Sequence, residues 1–469
     1  MEKGPHLSEA KRKLLEQMRQ AGASRPLSDP DFRPQARENP LRLSPAQEQV
    51  WRLDQTAGKV APLHNESITI HRHGPCDLTI VQRCLAEIVR RHEVWRTSYQ
   101  EDAGKPTQFV HPTVDFNLDF SDLRLVPEAT RQAKAFELAT DDTRLRFNLE
   151  QGPLFRARLV TLKDDEHKLF LTAHQSIVDG ITVFDIFPRE FTSLYETFAA
   201  GGRSPLPELL AQFGDFSSWQ RRKLATGSRD EQLAYWQKQL AGKLPALQWP
   251  NEGKRPERQT YRGAMCAFEF PHNLAQSLKE LARREGVTLF MVLLAAFFRL
   301  LHRYTGQDDI AVGTLSPCGR KQSAFQRCMG YFLNPVALRA NLGGNPSLQA
   351  LLRQIREITL GAISNDDVTL DMVAEKLQVE PDPSRHSFFT VALSLAPDLA
   401  PLPPGWSMTY MDVESGGARW DLYVELSDRA DTLLGRAQYN PDLFTESAIA
   451  QTIEDYRQLL ERISTARDR

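Results

Sequence analysis

The stretch Phe170-Leu-Thr-Ala-His-Gln-Ser-Ile-Val-Asp-Gly180 gathers ionisable and hydrogen-bonding side chains just past an apolar run. His174 brings an imidazole, the side-chain type that can take or give a proton near neutral pH. The carboxamide of Gln175 cannot act as a base, but it donates and accepts hydrogen bonds. Asp179 brings a carboxylate beside the turn-forming Gly180. A single histidine at a strand end also serves as a satisfied structural group, and Asp-Gly before a helix is also ordinary turn chemistry. No phosphate-cradling GxxxxGK(S/T) segment occurs, and no His/Cys group has metal-ligand spacing.

The elements that must position this segment follow from hydrophobic spacing. The apolar run 168–173 predicts a strand ending at His174, and 183–198 predicts a helix through Val183, Phe184, Phe187, Phe191, Leu194 and Tyr195. Function concentrates where strands give way to helices in α/β proteins. Asp77 is a candidate cap for a helix burying Ile80, Leu85, Ile88 and Val89, and 107–110 and 155–162 read as strands. In the second half helices are predicted at 230–241, 273–285, 288–304, 347–363 and 445–463. Strands are predicted at 261–270, 309–314, 388–396 and 420–427. The nearly all-apolar 288–304 helix should be buried. The alternation gives an α/β fold class. Residues 1–20 read as a polar amphipathic helix, and 22–42, with Pro26, Pro30, Pro34 and Pro40, as a linker.

Of the 469 residues, 58 are Lys or Arg and 60 Asp or Glu, a net charge of −2. A phosphate-tracking nucleic-acid binder would carry a basic excess. No run of about 18 apolar residues predicts a membrane span. The N-terminus has no apolar leader core, and five scattered cysteines read as reduced thiols of a cytoplasmic protein.

The segment resembles the HHxxxDG signature of the condensation domains of nonribosomal peptide synthetases, members of the chloramphenicol-acetyltransferase-like superfamily. Other segments resemble that family in order. Ser44-Pro-Ala-Gln-Glu-Gln-Val-Trp51 is similar to SxAQxxxW, Arg91-His-Glu-Val-Trp-Arg-Thr97 to RHExLRT, and Phe213-Gly-Asp-Phe-Ser-Ser-Trp219 to YxDYAxW. Met329-Gly-Tyr-Phe-Leu-Asn334 is similar to (I/M)GxFxN, Asp382-Pro-Ser-Arg385 falls at the late Arg-containing motif, and 439–444 resembles the C-terminal section. Heterocyclising relatives carry Asp at the position of His174, and the P450-recruiting variant has HRxxxDE, which Gly180 does not match.

The resemblance implies two acetyltransferase-type lobes, 43–215 and 216–469, in a V-shaped pseudo-dimer with a central tunnel, preceded by the 1–42 segment. It implies donor and acceptor carrier proteins at opposite mouths, within a peptide or hybrid polyketide–peptide synthetase whose adjacent modules are further partners. Phosphopantetheine arms arrive on those carriers, with no cofactor, metal, nucleic acid or membrane of the domain's own. The reaction implied is amide formation from a carrier-bound acyl thioester and a carrier-bound amino acid. The alternative is a silent scaffold for carriers or a tailoring enzyme.

By resemblance, His174, Asp179 and Gly180 shape the loop, and Arg96 is the expected partner of Asp179, with Arg91 second. Ser176, Ser316, Tyr331, Asn334 and Trp420 are the expected tunnel lining, and Arg320 and Arg385 are expected to fix the second lobe, to face a carrier phosphate at a mouth, or to stand solvated. The family's reacting-amine histidine is replaced by Gln175. Three explanations stay open: a natural variant working by positioning, a silent domain, or a change introduced to disable the site.

Overall fold

The computed structural model describes residues 39–56, 62–242, 244–249, 253–410, 413–429 and 432–465. The expected N-terminal helix and most of the linker lie outside these residues.

Two mixed sheets carry the chain. The first has five strands in the order Trp406–Tyr410, Asn65–His73, Glu166–His174, Phe155–Lys163, Leu118–Asp122. The second has six: Asn334–Asn341, Asp309–Ser316, Val391–Ala396, Leu422–Arg429, Thr432–Tyr439, Ala264–Phe270. A three-stranded sheet, Leu41–Arg42, Lys105–Val110 and Thr97–Asp102, flanks the first, so the end of the expected linker is paired backbone. Helices are set by their caps. Asp77 Oδ1 accepts from the N–H groups of Thr79 (2.7 Å) and Ile80 (3.2 Å) to open Leu78–Arg91. Thr288 Oγ1 does the same for Met291, and Gly306 closes Leu289–Thr305 in the left-handed region. As its composition predicts, Leu289–Thr305 is buried, from Met291 to Leu301 except Arg299, inside the second core. Among the described residues no single helix is long and apolar enough to cross a membrane, and the five cysteines form no disulfide.

The two halves exchange elements. The helix Phe213–Lys223 runs through the expected 215/216 boundary, and Phe213, Phe216 and Trp219 belong to the first core. So do Cys318, Phe325, Cys328, Met329, Tyr331 and Phe332, carried in from the second half. Strand Trp406–Tyr410 completes the first sheet's edge, pairing antiparallel with Asn65–His73.

Gly330 shows how tight this insertion is. At φ +153° it occupies a region that favours glycine, and a Cβ there would stand 2.1 Å from Phe213 Cδ2. Its N–H donates to Thr182 Oγ1 at 3.1 Å, joining the inserted segment to the helix after the site loop. Gly330→Ala is expected to cost about 2–3 kcal/mol through overpacking and backbone strain, read as a lowered denaturant midpoint.

Candidate active site

Strand pairing fixes the start of the loop. His174 ends its strand opposite Asn65, and the N–H of Gln175 donates to the His64 carbonyl at 2.7 Å. The chain then turns through a single 3-10 turn, Gln175–Ile177.

His174 is buried behind the loop. Its Nδ1 accepts from the Ser176 N–H (3.3 Å) and lies 2.7 Å from Ser176 Oγ. With Nδ1 accepting, the neutral ring carries its proton on Nε2, which faces Asp54 Oδ1 at 3.7 Å. His64 Nδ1 stands 3.5 Å from the same oxygen, and the two rings meet edge to face at 5.6 Å. Their candidate ligand atoms all lie within 4.8 Å of one another, a grouping hidden by the sequence separation of 54, 64 and 174. The tautomer turns an N–H of His174 toward the carboxylate across 3.7 Å, beyond hydrogen-bond reach, which makes this an electrostatic grouping rather than a set of converging lone pairs.

Burial pushes the His64 imidazole down to about 4, against the pull of Asp54. Burial pushes the Asp54 carboxyl up, but the interactions with His174 and His64 outweigh it and hold the group well below the carboxylate range. Between pH 6.5 and 4 unfolded His64 is protonated while folded His64 is neutral, so acid favours unfolding. The contribution is full above pH 6.5 and is lost as pH falls toward 4. From pH 7 to 5 this is worth about 2 kcal/mol. It should appear as a drop in urea midpoint that His64→Gln lessens by that amount, the rest belonging to other buried histidines such as His386, also pushed down to about 4 by burial.

Gln175 faces the other way, into a cleft lined by both sheets. The space along the cleft amounts to about 1250 Å³, open solvent at its mouth included. Gln175 Nε2 lies 3.4 Å from Glu66 Oε1. A carboxylate only accepts, so the amide NH2 must face it. That leaves Gln175 Oε1 buried with no protein donor. Glu66 Oε2 reaches Arg436 Nη2 at 3.5 Å, and the same nitrogen pairs with Glu425 at 2.9 Å. A polar chain thus crosses the cleft from the first sheet to the second. Burial pushes Glu425 up, partly countered by Arg436. Ser394 and Tyr423 (Oγ to OH 2.6 Å) and Arg419 complete this wall.

The expected Asp179–Arg96 pair does not form. Asp179 is instead clamped by Arg320, with Nε to Oδ2 at 3.0 Å and Nη2 to Oδ1 at 2.7 Å. Arg320 also donates to the carbonyls of Phe325 (3.0 Å) and Cys328 (2.6 Å) and lies over the Phe332 ring at 4.1 Å. It is neither solvated nor at a mouth, with 7% of its side chain exposed. Asp179 Oδ1 also accepts from the Thr182 N–H at 2.7 Å, bracing the helix entry. Arg96 donates to the His111 carbonyl and faces Glu93 at 3.6 Å, while Arg91 pairs with buried Glu190 at 3.0 Å. Gly180 admits the second lobe: a Cβ would stand 3.0 Å from Pro397 Cδ.

Gln175, Asp179 and Gly180 line the cleft, but none of the five expected tunnel residues is among its lining residues. Several of their polar atoms bond the scaffold, although Asn334 Oδ1 is buried without a partner. Ser176 Oγ serves His174, and Ser316 Oγ donates to Asp366 Oδ2 at 2.6 Å. Asn334 Nδ2 donates to the carbonyls of Asp366 (2.8 Å) and Val368 (2.7 Å). Tyr331 is buried, and Trp420 packs between Phe389 (5.7 Å) and Tyr423 (5.2 Å). Arg385 pairs with Asp382 at 3.0 Å. Of the lining that sequence reasoning missed, Glu425 and Arg436 had one signal, a charge within a mostly apolar strand segment, whereas Glu66 stands between polar Asn65 and Ser67 and had none.

Comparison with known proteins matches residues 37–468 to the family model described as the condensation domain. Chondramide synthase cmdD of Chondromyces crocatus is 34% identical over 422 residues, 89% of this chain and 11% of that protein. Phosphinothricin tripeptide synthetase PhsC of Streptomyces viridochromogenes is 33% identical over 446 residues, 93% of this chain and 40% of that protein. The chain therefore spans well under half of either relative. Among solved structures, the X-domain from teicoplanin biosynthesis superposes with a TM-score of 0.79 at 24% identity, covering 94% of this chain and 98% of that one. The first condensation domain of the calcium-dependent antibiotic synthetase, in complex with a substrate analogue, gives 0.78 at 18% identity, covering 91% and 97%. Two acetyltransferase-like lobes with a cleft between them, and a family match over nearly the whole described chain, place this protein in the condensation-domain family of nonribosomal peptide synthetases.

Proposed function

We propose that the domain joins a carrier-bound acyl thioester to a carrier-bound amino acid through an amide bond, with Gln175 orienting the nucleophile. The observation that carries this reading is Gln175 Oε1, an acceptor in the inter-lobe cleft that no protein group satisfies. An amine N–H fits it. Donor and acceptor carriers dock at opposite mouths, as parts of adjacent synthetase modules, and each feeds a phosphopantetheine arm into the cleft. The amine nitrogen bonds to the thioester carbonyl carbon, the C–S bond breaks, and the thiol leaves on the donor arm. The domain holds no cofactor of its own. Cysteines kept as thiols suit a reducing, cytoplasmic setting.

Losing an imidazole base costs roughly 10²–10⁴-fold. Holding the reactants in attack geometry contributes up to about 7–11 kcal/mol in well-oriented systems. Amine and thioester are a reactive pair, so positioning sustains amide formation where an ester-forming hydroxyl would stall. The test loads donor and acceptor carriers and follows the condensed product by mass spectrometry. No product above the uncatalysed rate across several matched pairs sinks the reading.

A second reading is a binding scaffold, which fits the missing imidazole and the fold shared with the teicoplanin X-domain, itself solved in complex with OxyB. It expects carrier or tailoring-enzyme binding without turnover, unchanged by Gln175→His.

A further inference from the structure

We propose that Glu66 takes the proton of the attacking amine, and so performs the proton transfer that Gln175 cannot. The inference rests on the amide-forming reading above. Register places Glu66 opposite Ala173, two residues before Gln175, on the neighbouring strand of the same sheet. Its Oε1 is 3.4 Å from Gln175 Nε2, and its carboxylate lines the same cleft with 23% of the side chain exposed. An amine bound at Gln175 Oε1 sits on the same amide group that holds Glu66. The base and the orienting acceptor are thus presented together.

The groups facing Glu66 leave it this role. Gln175 meets it from the loop, and Arg436 from strand Thr432–Tyr439 at 3.5 Å. Glu425 of strand Leu422–Arg429 holds Arg436 more closely, at 2.9 Å, so one guanidinium serves two carboxylates. Glu425 and Tyr331 each feel the charge of Glu66. Arg436 is therefore committed chiefly to its neighbour on the same sheet.

A carboxylate is a weak base, yet it suffices here. Once the C–N bond forms, the nitrogen carries positive charge and its proton becomes acidic. Glu66 accepts that proton as the C–N bond is completed. The C–S bond then breaks, and Glu66 returns the proton to the departing thiolate, leaving amide, free thiol and a regenerated carboxylate. A neutral hydroxyl is a much weaker nucleophile that needs its proton drawn off during attack, which a weakly basic carboxylate does poorly, so the same site favours amides over esters.

The test is kinetic. Glu66→Gln keeps an acceptor for Gln175 Nε2 but cannot take a proton. It should lower kcat about 10²-fold, leave KM within a few-fold, and erase the acidic limb of the pH–rate profile. Rates are compared only over the pH range where circular dichroism shows the variant folded. Glu66→Asp should retain that limb. In a Gln175→His background the imidazole takes over, and adding Glu66→Gln should cost less than about fivefold. Equal losses in both backgrounds, or a limb unchanged in Glu66→Gln, would overturn the role and assign Glu66 to bracing Arg436. Wild-type turnover with a fully active Glu66→Gln removes this inference alone. Absence of wild-type product removes the amide-forming reading and this inference with it.

Discussion

Arg320→Ala is expected to lose about 3–5 kcal/mol of stability, the range for breaking one side of a buried ion pair, and to abolish product formation. The Asp179 carboxylate is fully shielded from solvent and takes two of the Arg320 donors. Removing the guanidinium leaves a buried charge that keeps the Thr182 N–H as its donor but loses its counter-ion. It also strips the Arg320 donor from the Cys328 carbonyl and one of two donors from the Phe325 carbonyl, which still accepts from the Cys328 N–H. Chemical denaturation measures the loss. Two comparisons separate charge from packing. Arg320→Lys keeps the charge without the planar fork and should fall between wild type and Ala. The double variant Arg320→Ala/Asp179→Asn leaves no unpaired charge, so it should be more stable than Arg320→Ala alone, a coupling expected for residues in direct contact. Arg96→Ala leaves the Asp179 clamp intact and should cost far less.

That contrast marks what a sequence can show. Local spacing gave the helix Leu289–Thr305 and the strand ending at His174 to within a residue or two, because apolar periodicity is a local property. The loop residues Gln175, Asp179 and Gly180 were legible for the same reason. The partner of Asp179 was not. Arg320 lies 141 positions away, on a segment of the second half that packs into the first lobe's core. Which arginine reaches a buried carboxylate depends on which elements interpenetrate, and no spacing rule contains that. Glu66 is a similar case. It neighbours Gln175 through antiparallel register, so its place in the cleft follows from strand pairing. The edge strand Trp406–Tyr410 was missed because Pro401, Pro403 and Pro404 precede it and it pairs with a strand more than 300 residues earlier. The expected tunnel residues failed on a different point. Motif membership marks them, but the scaffold takes up the hydroxyls of Ser176 and Ser316 and the side-chain N–H groups of Asn334.

Gln175→Leu should separate turnover from stability in the opposite sense. The amide of Gln175 has one long hydrogen bond, to Glu66 at 3.4 Å, and a buried oxygen with no protein donor. An amide with so few protein partners adds little to the fold, since a typical intramolecular hydrogen bond is worth about 0.5–1.5 kcal/mol net. Leucine fills a similar volume and is apolar, so the variant should be as stable as wild type or about 1 kcal/mol more stable. Glu66 loses a weak donor but keeps Arg436 and its access to the cleft. Turnover should fall about 10²-fold, because the amine loses the acceptor that aims its lone pair at the thioester and the arm that holds the proton acceptor beside it. The measurement pairs a urea midpoint with single-turnover product formation on loaded carriers. A scaffold reading predicts no change in carrier affinity and no turnover to lose. A structural reading of Gln175 predicts that stability and rate fall together. Only an orienting role predicts that the protein becomes no less stable while it stops making product, which is the signature of a polar group kept at a cost to the fold for the reaction it serves.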